Sequence, residues 1–103
     1  MLNNQVPPEQ DEPSYTLKFT SAALQKLEKL DLNIRRRVFS DIEKLRENPR
    51  PHGVGKLKTK EGLYRIRVGP GKNYRVIYQI RDDILLVLVV KVGDRKDVYR
   101  GVK

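Results

Sequence analysis

Between Leu63 and Tyr78 the chain reads LYRIRVGPGKNYRVIY. Arg65 and Arg67 stand two residues apart, and Arg75 follows beyond a Gly-Pro-Gly turn. They alternate with Tyr64, Ile66, Val68, Tyr74 and Val76. In extended chain, alternate side chains point to opposite faces. If the apolar set meets a core, the three guanidinium groups share the other face of one hairpin. A guanidinium is planar, always charged and able to bind an oxyanion through two parallel hydrogen bonds. Clustered guanidiniums repel one another, so they need a polyanion, nearby carboxylates or open solvent. Carboxylates are scarce: residues 50–78 hold eight Lys or Arg against the single acid Glu61. The chemistry to expect is the holding of a polyanion on a rigid platform.

The flanking pattern supplies the platform. YTLKF at 15–19 alternates and reads as a strand. Thr20 and Ser21 are N-cap types, and Leu24, Leu27 and Leu30 follow at near-helical spacing, giving a short helix over 21–30. Asp31-Leu32-Asn33 breaks it. Ile34, Val38, Ile42 and Leu45 then form one apolar stripe of a helix over 33–47, stopped by Asn48-Pro49. So short a join suggests an antiparallel helix pair. Residues 50–62 read as loop. Strands are expected over 63–68 and 74–80, with Tyr64, Tyr74 and Tyr78 facing the core. ILLVLVV at 84–90 reads as a central strand buried on both faces, Gly93-Asp94 as a bend, and 96–100 as a last strand. The order is strand, two helices, four strands: an α+β domain with a two-helix hairpin on one face of a mostly antiparallel sheet.

Composition narrows the function classes. The chain has no cysteine and one histidine, His52, which excludes disulfide scaffolds, thiol nucleophiles and zinc sites built on cysteine or several histidines. No metal and no cofactor is expected. The longest apolar run is too short for a membrane-spanning helix, and the start lacks a secretory leader pattern, so a cytoplasmic protein without a membrane partner is expected. Net charge is +9. The first fourteen residues, with Glu9, Asp11, Glu12 and three prolines, read as a disordered tail of charge −3, leaving residues 15–103 as one domain at +12. Such a domain attracts polyanions at long range.

LYRIRVG at 63–69, NYRVIYQI at 73–80, LVVKVGDRKDVY at 88–99 and the helix-ending ENPR at 47–50 together resemble the RelE/ParE superfamily of bacterial toxin–antitoxin toxins, and RelE-type ribosome-dependent mRNA interferases most closely. The resemblance covers residues 15–101. It implies a RelE-like microbial ribonuclease fold. It also implies metal-independent cleavage of messenger RNA in the ribosomal A site, in which the 2′-hydroxyl attacks the adjacent phosphate and translation stops. Carried over by position, Arg65 and Arg67 fall where relatives place a basic pair, usually lysines. Arg75 and Arg95 match the arginines that contact the scissile phosphate, and Tyr99 matches the tyrosine that stacks on a base. The implied partners are a RelB-like antitoxin, the ribosome and mRNA, with the free toxin a monomer.

The chemistry is consistent with that resemblance. Phosphodiester cleavage builds negative charge on phosphorus, and fixed guanidiniums stabilise it. Arginine is a poor general base, so with Arg at 65 and 67 the proton acceptor is open among Glu61, Tyr99, Lys58, Lys60 or no dedicated base. Lys56, Lys58, Lys60 and Lys72 on loops and Arg35 and Arg36 on the second helix are candidate RNA-backbone contacts. Read without the resemblance, Arg65, Arg67 and Arg75 are a solvated sheet face, Arg95 a turn residue, Tyr99 a strand aromatic, Arg35–Arg37 a solvated helix face and His52 a plain loop histidine. Two other functions fit the same fold: a ParE-like inhibitor of DNA gyrase, and a catalytically inactive binding protein.

Overall fold

The computed structural model describes residues 14–59 and 61–94. Strand β1 (Thr16–Phe19) leads into helices α1 (Ser21–Glu28) and α2 (Leu32–Glu43), the latter tightening into a 3-10 turn at Lys44–Arg46. Strands β2 (Gly55–Lys56), β3 (Leu63–Val68), β4 (Tyr74–Arg81) and β5 (Leu86–Asp94) follow. They make one five-stranded sheet in the order β1-β5-β4-β3-β2. β1 runs parallel to β5, and the other neighbours are antiparallel. The α+β architecture expected from the sequence is the one observed.

Both helices cover the same face. The Thr20 hydroxyl caps α1, accepting from the Ala23 N–H at 3.1 Å and donating to the Val90 carbonyl at 2.9 Å, which ties the helix start to β5. Ala23 and Leu27 are the buried residues of α1, whereas Leu24 of the expected stripe is exposed. The small Ala23 lets α1 lie close on β5. On α2, Val38 and Ile42 are fully buried and Leu45 follows in the 3-10 turn, against Val68, Val76, Tyr78, Val87 and Val89 from the sheet. Each such side chain contributes roughly 1.5–3 kcal/mol on burial.

β5 departs from expectation in three ways. It starts at Leu86, because Ile84 and Leu85 belong to an exposed turn in which Leu85 takes a left-handed conformation. It continues through Gly93 and Asp94, which pair with Arg75 and Tyr74 instead of bending away. It is buried on one face only, with Leu86, Leu88 and Val90 half-exposed on the other. A bulge explains how the pattern survives: Tyr78 pairs with Val89 but Ile77 with Lys91, so Val90 is an extra residue. That residue moves Val92 onto the helix side with Val87 and Val89.

The segment read as loop contains β2, two residues long, which pairs Gly55 with Arg65 and Lys56 with Tyr64. The expected last strand at 96–100 and the tail residues 1–13 lie outside the described residues. Among the described residues no helix is long and apolar enough to cross a membrane.

Candidate nucleic-acid interface

Alternation on β3 sends Tyr64, Ile66 and Val68 toward the helices and leaves Arg65 and Arg67 exposed on the opposite face. The β3–β4 register sets Arg67 directly across from Arg75, and Arg65 across from Ile77. Like charges directly opposite on a sheet destabilise it. Among the described residues, those that line the site include no carboxylate. The Arg75 guanidinium donates to the Lys72 carbonyl at 3.1 Å, which holds it over the β3–β4 turn.

That turn is fixed from beneath. The Gly69 N–H donates to the Asp41 carboxylate of α2 at 2.9 Å. Gly69 has a positive φ of 79°, and a Cβ there would stand 3.0 Å from Val38 and 3.1 Å from Tyr74, so glycine lets α2 reach the turn. Lys72 also takes a positive φ, 54°, an unusual conformation for a side-chain-bearing residue.

On the other flank, β2 turns the basic face into a groove. His52, Gly53, Val54 and Gly55 form one wall, Arg65, Ile66 and Arg67 the floor, and Lys72 and Arg75 the far wall, around about 690 Å³. A Cβ at Gly55 would meet Arg65 Nε at 2.9 Å, so glycine lets the Arg65 side chain lie across β2. Lys91, which pairs with Ile77, adds a cation to the same face of the sheet. Below it Leu63, Ile77, Leu57 and Val90 close a small apolar cluster.

The wall holding His52 is tied down at its root. Arg50 grips Asp82 with two hydrogen bonds, 3.2 and 2.8 Å, and donates to the Tyr64 hydroxyl at 3.3 Å. The Tyr15 hydroxyl donates to Asp82 at 2.6 Å. The buried Tyr78 hydroxyl donates to the Pro49 carbonyl at 2.7 Å. Arg50, and then Tyr15, hold the Asp82 carboxyl down at about 2, and Asp82 in turn pushes the Tyr15 hydroxyl up. Burial pushes the Tyr78 hydroxyl well up.

The structure therefore brings together Arg65, Arg67, Arg75 and Lys72, and adds His52, which the sequence left as a plain loop residue. Others stand apart. Lys56 Nζ sits 5.9 Å from the Tyr64 ring, toward the helix side of the sheet. Arg35 and Arg36 are on α2, on that same side, with Arg35 Nε enclosed and unpaired. Lys58 is exposed beyond β2. Glu61 lies in the turn before β3, where its carbonyl accepts from the Gln79 amide, and it does not line the groove. Lys60, Arg95 and Tyr99 lie outside the described residues. Among the described residues no three His, Asp or Glu side chains are grouped to hold a metal ion.

Comparison with known proteins adds independent findings. Residues 17–99 match the family model described as ParE toxin of type II toxin-antitoxin system, parDE. A RelE-like toxin protein of Escherichia coli is 33% identical over 87 residues, spanning 82% of this chain and 90% of that protein. The mRNA interferase toxin RelE of Escherichia coli strain K12 is 31% identical over 88 residues, spanning 84% and 90%. Among solved structures, the isolated E. coli RelE toxin superposes with a TM-score of 0.67 at 30% identity, covering 84% of this chain and 93% of that one. The toxin in the intact E. coli RelBE toxin–antitoxin complex gives 0.66 at 29%, covering 81% and 99%.

Proposed function

Because the chain belongs to the RelE/ParE superfamily of type II toxin–antitoxin toxins, we propose that it is a ribosome-dependent endoribonuclease, cutting mRNA in the A site and so inhibiting translation. The observation that carries this reading is the Arg67–Arg75 pair, facing across two strands with Arg65 and Lys72 beside it and no acid among the described lining residues. Two like charges directly opposite, as Arg67 and Arg75 are, cost a sheet stability, and a polyphosphate strand relieves that cost. The reaction needs little else from the protein. The 2′-hydroxyl oxygen attacks the adjacent phosphorus, the bond to the 5′-oxygen breaks, and a cyclic phosphate remains. Charge grows on the phosphoryl oxygens in between, where preorganised guanidiniums act most strongly.

In this reading Arg65, Arg67 and Arg75 hold the phosphate, Lys72 the neighbouring backbone, and Arg95 and Tyr99 contribute the second phosphate contact and a base-stacking ring. Lys56, Arg35 and Arg36, on the helix side of the sheet, would meet the ribosome, not the cut strand. The partner that silences the toxin is a RelB-like antitoxin, in keeping with the toxin–antitoxin complex among the similar structures. The free toxin is a cytoplasmic monomer.

Primer extension on an mRNA in programmed ribosomes tests the proposal. Wild type should cut at the A-site codon, and Arg75→Ala should cut at least ~100-fold more slowly, the usual loss for one oxyanion-stabilising donor. The matching family model is of ParE type, which favours gyrase inhibition as a second reading. Inhibited supercoiling with intact mRNA would establish it and refute the first.

A further inference from the structure

We propose that His52 is the general base of the groove, a role that rests on the ribonuclease reading and that none of the arginines can take. In the step assigned to it, the imidazole removes the proton of the 2′-hydroxyl as the O2′–P bond forms and the P–O5′ bond breaks. The departing 5′-oxygen takes a proton from solvent, and the imidazolium returns one to solvent, so protons balance over the turnover. Arginine stays protonated in proteins, whereas histidine is the side chain whose charge changes between about pH 5 and 8. Among the described residues lining the groove, His52 carries the one imidazole.

The placement is built. Pro51, His52, Gly53 and Val54 form a turn closed by a hydrogen bond from the Val54 N–H to the Pro51 carbonyl at 3.1 Å. Gly53 has φ +90°, as a type II turn requires at its third position. His52 therefore sits at the turn's tip, exposed, on the wall opposite Arg75 and Lys72. The root of the turn is held by Pro49 on Tyr78 and by Arg50 on Asp82 and Tyr64. A loop meant only to connect α2 to β2 has no need of three separate anchors beside a histidine. The charged groups facing it are Arg65 and Arg67 from β3, Lys72 from the turn and Arg75 from β4, with Arg50 and Lys56 flanking it along the chain. They set the phosphate; the imidazole addresses the hydroxyl.

The experiment is single-turnover cleavage of mRNA in programmed ribosomes from pH 5 to 9, with wild type, H52A and H52Q, and with H52A plus free imidazole. Wild type should speed up as pH rises, as a general base requires. Both variants should be slower by ~10²-fold or more, the usual contribution of a general base, and should lose that rise. Imidazole should restore part of the H52A rate. Both variants should keep the wild-type circular dichroism spectrum, since the site is exposed. Wild-type rates and pH profile in H52A would overturn the assignment and leave the nuclease standing. Slower cutting with an unchanged pH profile and no imidazole rescue would also overturn it, reducing His52 to a positioning residue. A wild type that leaves mRNA intact would remove the ribonuclease reading, and this proposal with it.

Discussion

Asp82 gathers three hydrogen bonds at the root of the groove wall, two from Arg50 and one from Tyr15. The adjoining pair is simpler. Arg81–Asp83 at 3.2 Å is a single-contact exposed pair of a kind that contributes little. Asp82 differs because its partners are Tyr15, just before β1, and Arg50 in the α2–β2 loop, so the carboxylate joins parts of the chain far apart in sequence. The folded carboxyl titrates at about 2 against an ordinary 3.8. A depressed carboxylate contributes stability that is fully present above the unfolded value and lost as pH falls through the folded one. Wild-type stability should therefore decline between about pH 4 and pH 2, beyond what its other acids cause. Asp82→Asn should be less stable at neutral pH and should show a shallower decline over that window. Urea unfolding at intervals from pH 2 to 7 reads both slopes; parallel curves would show that Asp82 carries no linkage.

At the scale of elements, the segment from Pro49 to Lys56 matters most, since it carries His52 and ends in β2. Its deepest anchor is the Tyr78 hydroxyl, fully buried on β4 and donating to the Pro49 carbonyl. Tyr78→Phe removes the donor and strands a buried acceptor, which costs about 1–3 kcal/mol. Cleavage should fall as well, because the wall loosens while Arg67 and Arg75 stay in place. Chemical denaturation with the cleavage assay checks both, and a stability loss at full activity would separate the anchor from the site. The same segment shows where sequence reasoning reaches its limit. The arginine face of β3 and β4 was legible because alternation sustained over two strands fixes which way each side chain points. Gly55-Lys56 is too short to show a period, so β2 stayed hidden, and with it the wall opposite Arg75. The place of His52 is hidden in the sequence for the same reason: it depends on a turn folding back across β3. Asn48-Pro49 announced the end of α2 but not that its carbonyl would find Tyr78. In β5 the extra residue at Val90 shifts the alternation, a change that only pairing with β4 reveals.

Considered whole, the molecule has two faces of unlike character. The helices seal one side of the sheet over an apolar core, and the other side carries Arg65, Arg67, Arg75 and Lys91 above a small apolar cluster. Under the proposed function, the excess charge over residues 15–103 draws a nucleic acid from a distance and the groove decides where it rests. Counterion release separates the two contributions. For single strands, log affinity falls against log salt with a slope of about −0.7 per phosphate neutralised. The four cations lining the groove then give a slope near −3, so a short single-stranded RNA should bind roughly 50-fold more weakly at 200 mM than at 50 mM salt. Arg65→Ala, Arg67→Ala, Arg75→Ala and Lys72→Ala should each make the slope shallower by about 0.7. Lys26→Ala on α1 and Arg36→Ala on α2, both beyond the sheet from the groove, should leave it unchanged. Fluorescence anisotropy of a labelled oligonucleotide over that range measures every slope. A steep wild-type slope that no groove substitution alters would mean that diffuse charge binds RNA and that the arginine face is not its seat. A slope that also falls with Arg36→Ala would extend the RNA path around the sheet edge onto α2.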